Sequence, residues 1–201
     1  MATTTTVLSR PFVGDRVIAA WRAGSTPHGR ALPALATFAA AATALSVAAA
    51  RTAPVTAAAL GTVLTLCGAA ALVDLHEHRL PNQLLTGSLV GVGIAAFAAT
   101  LGGHPGGLGA ATAGLLLGGL PLLVVRLRRG LGMGDVKLAA VLGAAGGLVH
   151  PLVALATTAL GALAAGTAGS VLRRPRLALG PWWWAAWVIA TVLALHAGGG
   201  Q

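Results

Sequence analysis

VTAAALGTVLTLCGAAALV, residues 55–73, runs for nineteen positions without a charge and stops at Asp74-Leu-His-Glu-His-Arg-Leu-Pro-Asn82. A helix crosses the hydrocarbon core of a bilayer with about 20 apolar residues. Similar stretches lie on either side, at approximately 31–50, 83–101, 106–125, 136–150, 152–170 and 181–197. The stretch 136–150 is short and Gly-rich, and His150-Pro151 marks the turn after it. The pattern predicts an all-α fold, a polytopic membrane helix bundle of about 6–7 transmembrane helices. Residues 1–30 read as a cytoplasmic N-terminal tail and 31–201 as one transmembrane domain. Ala48-Ala-Ala-Arg51 resembles a signal-peptidase site, but the apolar run before it is longer than a signal peptide's and reads as an uncleaved anchor.

Composition agrees. The chain is 56% hydrophobic and 8% charged, with a mean hydropathy of +0.84, whereas soluble domains carry about 25% charged residues. A net charge of +9 invites a nucleic-acid reading. That reading is rejected, because the bases do not gather on one face with aromatics between them. They fall in the gaps between apolar stretches, as topology signals do. With the N-terminus in the cytoplasm, twelve of the 13 Lys and Arg residues lie inside and only Arg51 outside. Asp74 and Asp135 then share the cytoplasmic boundary. The single cysteine, Cys67, excludes an internal disulfide and a cysteine-rich zinc site, and reads as a packing residue. Trp182, Trp183, Trp184 and Trp187 open the last stretch and read as interfacial anchors.

Only four acids occur in the chain, and three of them fall in two polar islands, Asp74 to Asn82 and Gly132-Met-Gly-Asp-Val-Lys137. An ionisable group beside hydrocarbon costs roughly 2.5–3.5 kcal/mol on the insertion scale and marks a functional site by default. Two carboxylates close together cannot both ionise easily, so one serves as base and the other as acid. The base takes a proton from water as it attacks a peptide carbonyl, and the acid hydrogen-bonds the carbonyl oxygen. Asp135 heads a helix, whose positive end favours its ionised form, while Asp74 ends one. On that ground Asp135 is expected to be the base, although burial and coupling between the two can reverse the order. Gly132 and Gly134 offer unusual backbone angles and close approach of an extended substrate. Pro81 stiffens the linker, and Asn82 is expected to cap the next helix. Lys137 has two readings, a phospholipid headgroup partner or a group tuning the carboxylate.

Asp74, five residues, then Leu80-Pro81-Asn82 is similar to the D-x5-[IL]-P-N motif of the type IV prepilin peptidases. Gly132-x-Gly134-Asp135-x-Lys137 resembles their G-x-G-D-x-K motif, and Leu179-Gly180-Pro181-Trp182 resembles the Gly-Pro opening their last helix. The resemblance covers about residues 55–197 and implies a GxGD-type intramembrane aspartic endopeptidase in the inner (plasma) membrane. Such enzymes remove the basic leader from prepilins or pilin-like precursors at the cytoplasmic face. It implies Asp74 and Asp135 as the catalytic pair, with Arg79, Pro81, Asn82, Gly132, Gly134 and Lys137 as supporting motif residues. The implied partners are the precursor substrate and the lipid bilayer, with no cofactor and no metal. This chain departs from the longer members in lacking their paired CxxC motifs, which leaves open whether their N-methylation activity persists. The pilin, the pilus system and the oligomeric state are not legible.

Other readings compete. For Asp74 alone, neutralisation by Arg79 or Arg126 at a helix end is the bland alternative. His76-Glu77-His78 lacks the i, i+4 spacing of helical zinc ligands. A small proton-coupled transporter also uses membrane carboxylates, but it predicts acids near the midplane and an inverted repeat. A non-catalytic pilus assembly factor is the third reading.

Overall fold

Residues 42, 53–103, 107–128, 131–172 and 177–198 are described by the computed structural model. The tail 1–30, Arg51 and all of the expected first span except Ala42 lie outside them. Six helices follow one another: α1 (Pro54–Glu77), α2 (Asn82–Leu101), α3 (Gly107–Leu127), α4 (Met133–Gly147), α5 (Pro151–Leu172) and α6 (Gly180–Gly198). The described residues form an all-helical membrane bundle.

Proline and glycine set the boundaries. Pro54 opens α1, where its missing N–H is no loss. α1 runs past the apolar stretch and ends at His78, which adopts a left-handed conformation (φ 51°) and returns its N–H to the Asp74 carbonyl. Pro81, extended at φ −71°, starts α2. Gly103, at φ 71°, turns the chain after α2.

α1 (to Leu75), α2, α3 and α5 (to Val171) are long and apolar enough to cross a membrane. Large apolar side chains such as Ile94, Phe97, Leu101, Leu163 and Leu193 are exposed on the outer surface, as a lipid solvent requires. The four tryptophans of the last apolar stretch all fall on α6. α4 has 15 residues, a length of ~22 Å against a hydrocarbon core of ~30 Å. It touches every other described helix, and Val136 and Leu138 to Gly147, apart from Ala140, are buried.

Small residues allow that burial. A Cβ on Gly114 of α3 would fall on the Gly143 carbonyl of α4 and 2.9 Å from the Gly147 Cα. A Cβ on Gly143 would fall on the Gly114 carbonyl, and one on Gly147 on the Ala110 carbonyl. The two backbones are therefore in direct contact, the form of packing that holds helices together in lipid. Cys67 is buried between α1 and α2, where its Sγ donates to Ser88 Oγ at 3.4 Å.

The tryptophans depart from expectation. Trp183, Trp184 and Trp187 are buried in the core. Their spacing turns them to the inner side of α6, and Trp184 Nε1 donates to the Leu64 carbonyl of α1 at 3.2 Å. They are packing residues and not interfacial anchors.

Gly143→Leu is expected to lower stability by about 1–3 kcal/mol or prevent assembly, because overpacking at a tight contact forces backbone shifts. Gly93→Leu, where an added Cβ meets nothing within 4 Å, is expected to leave the melting temperature in detergent close to wild type.

Candidate active site

The C-terminal end of α1 and the N-terminal ends of α4 and α6 meet at one end of the bundle. Asp74 lies in the last turn of α1 and is 5% exposed. Its Oδ2 accepts the N–H of Gly180, the first residue of α6, at 2.9 Å. A Cβ at Gly180 would lie 3.0 Å from that oxygen, so any larger residue there would press on the carboxylate by a few tenths of an ångström. Asp135 is half-buried in the first turn of α4, and its Oδ2 accepts the Gly132 N–H at 3.2 Å. This is one half of a capping box, the side chain at N3 satisfying the N-cap amide.

The two carboxylates are close enough for the Asp74 charge to act on Asp135. Asp135 lies outside the four spanning helices. Its burial first, and the neighbouring Asp74 second, push its carboxyl up to about 6, against the lowering effect of the Gly132 amide. Asp74 ends one helix but also receives the first amide of another, so it feels both ends of a helix dipole. The dipole ground for ranking the two acids therefore does not separate them.

Two further contacts join the sequence islands. Lys137 Nζ donates to Asn82 Oδ1 at 3.0 Å. Asn82 is thus no cap: Pro81 holds the N-cap position of α2 without a side-chain bond, and the Asn82 amide is turned toward α4. Lys137 has a protein partner in place of the headgroup or carboxylate considered from sequence. Leu80 fills the space between two glycines. A Cβ at Gly134 would lie 3.1 Å from Leu80 Cβ, and one at Gly180 would lie 3.3 Å from Leu80 Cδ2. Gly132 has an ordinary φ of −71°, and Gly134 is not among the positive-φ glycines. Both act here through their small size, not through unusual angles.

Arg79 is exposed on the linker after α1. Arg126 donates to the Leu131 carbonyl, next to Gly132, at 3.5 Å. Glu77 and His78 are exposed, and among the described residues no three of His, Cys, Asp and Glu gather as a metal site. Gly180 and Leu80, which stand in the sequence motifs but outside the supporting residues those motifs imply, also belong to the site. The Gly180-Pro181 dipeptide opening the last stretch is the signal that points to the first.

Fold and site together define a helical membrane protein with two interacting carboxylates at one end of its bundle. The chain belongs to the type IV leader peptidase family, whose model matches residues 61–168. The match contains both islands and ends before α6. No curated protein and no solved structure matches the chain.

The Lys137–Asn82 bond is exposed, so a double-mutant cycle of Lys137→Met and Asn82→Ala in detergent should give a coupling of about 0.5–1.5 kcal/mol. Asp135 binds its proton more tightly folded than unfolded, so stability should fall as pH rises from about 4 to about 6 and level off above. Asp135→Asn should flatten that slope in melting curves taken across the same window.

Proposed function

We propose that the protein is a membrane-embedded aspartic endopeptidase that removes the basic leader from type IV prepilins or pilin-like precursors. The observation that carries this reading is the pair Asp74 and Asp135, from helices far apart in sequence, acting on each other at one end of the bundle. Membership in a leader peptidase family supplies the substrate class.

The reaction follows from the pair. The ionised carboxylate removes a proton from water as its oxygen attacks the scissile carbonyl carbon. The protonated carboxyl donates to the carbonyl oxygen as charge develops there. The C–N bond then breaks, and the amine leaves with a proton returned by the pair. Asp135, whose proton is held by burial and by the charge of Asp74, suits the acid and Asp74 the base, the reverse of the order expected from the helix ends. Backbone amides orient both groups, while the Lys137–Asn82 bond and the Leu80 wedge hold α4 against the linker that follows α1. The precursor's apolar helix would enter the bilayer beside the bundle, with its basic leader in the cytoplasm. That places the aspartate end at the cytoplasmic face of the inner membrane and the N-terminus on the same side. The position of both acids at helix ends favours this reading over a transporter, whose carboxylates are expected near the midplane.

Co-expression with a prepilin tests it. Asp74→Asn and Asp135→Asn should each lower leader removal by about 10²–10⁴-fold, the usual contribution of a general acid or base. Processing by the wild type should withstand chelators and decline as pH rises above about 6, where Asp135 loses its proton. Undiminished processing by either variant would end the aspartic mechanism.

A further inference from the structure

The seam between α5 and α6 contains polar atoms that the site does not use. Thr157 of α5 and Trp183, Trp187 and Thr191 of α6 are each more than nine-tenths buried. Thr157 Oγ1, Trp183 Nε1, Trp187 Nε1 and Thr191 Oγ1 have no hydrogen-bond partner among the described residues. Elsewhere in the bundle, buried Ser88 gives its hydroxyl to the Leu84 carbonyl at 2.9 Å, and threonines outside the core do the same. Thr62, Thr100, Thr158 and Thr167 turn their hydroxyls back to the carbonyl four residues earlier, at 2.9–3.0 Å. Trp184, beside Trp183, gives its N–H to the Leu64 carbonyl. A helix offers every threonine that same partner, yet Thr157 and Thr191 leave it. Buried polar groups in native proteins are satisfied by protein or by ordered water.

The four residues lie at neighbouring levels of the packed helices α5 and α6. Residues 180, 183, 187 and 191 share one face of α6. The Trp183 ring lies on Gly161, 3.0–3.3 Å from where a Cβ would stand. Thr157 is one turn from Gly161 along α5, as Trp187 is one turn from Trp183 along α6. From Thr191 to Gly180 this face covers ~16 Å of helix, and the Gly180 N–H is on Asp74.

We propose that this seam holds a file of ordered water molecules that leads to Asp74 and supplies the water consumed at the aspartate pair. The indoles can only donate, while the hydroxyls both donate and accept. The water file therefore has anchors of both kinds along its length. Internal waters of this type make about three hydrogen bonds each. The delivery role rests on the aspartic reading above; the presence of the waters does not.

Hydroxyl-radical footprinting of the full chain in nanodiscs, with radicals made in place from bound water, separates the two claims. Trp183 and Trp187 should label several-fold faster than Trp184, which is also buried but bonded to protein. Thr157→Val with Thr191→Val should bring them down to the Trp184 rate and lower kcat for prepilin cleavage several-fold at unchanged KM. Equal labelling of the three tryptophans in wild type would overturn the water file. So would a higher melting temperature of the double variant, because removing a dry unpaired hydroxyl stabilises. Loss of the fast labelling in the double variant with kcat unchanged would overturn delivery. A wild type that cleaves no prepilin would instead overturn the proposed function, with the labelling still deciding the seam.

Discussion

The contact of bare backbones between α3 and α4 sets the rest of the structure. Gly114 and Gly118 face Gly143, Gly147 and the Ala139 carbonyl with no room for a Cβ. In lipid there is no hydrophobic drive to press helices together, so close approach and the dispersion it brings must do so. The reward here is position as well as stability. A helix too short to span alone is held at the centre of the bundle, and its first turn carries Asp135 to the level of the last turn of α1. Larger residues along that line would push α4 outward and separate the two carboxylates.

At the aspartate end, among the described residues, main-chain and small-residue contacts hold the two carboxylates. Gly180 and Gly132 each give an amide to one carboxylate, and Leu80 separates Gly134 from Gly180. The Lys137–Asn82 bond is an outer brace across the same gap. A guanidinium beside an acid depresses its affinity for its proton. A single amide holds a carboxylate in place with a weaker effect, which leaves Asp135 near neutrality.

Much of this was legible in the sequence because membrane helices are punctuated plainly. The stretches 83–101, 152–170 and 181–197 match α2, α5 and α6 to within two residues, since Pro81, Pro151 and Gly180-Pro181 fix their starts. α1 extends to Glu77 because nothing in Asp74-Leu-His-Glu breaks a helix, and hydropathy marks the edge of the apolar run, not the edge of the helix. The shared depth of Asp74 and Asp135 followed from the parity of basic gaps. What local pattern could not give was each side chain's partner. Asn82 looks like a cap until α4 brings Lys137 to it. The tryptophans look like interface anchors until α6 is seen to turn them inward. Gly180 looks like a helix start, and only the packing of α1 against α6 reveals what its amide meets.

That the donor to Asp74 belongs to the peptide backbone has a consequence for heredity. No codon change at position 180, short of one for proline, deletes the amide itself. Substitution there alters bulk, so a mutational scan would register a steric requirement and miss the electrostatic one. The bond is thus sheltered from point mutation, and its strength can be probed chemically, by replacing that amide with an ester.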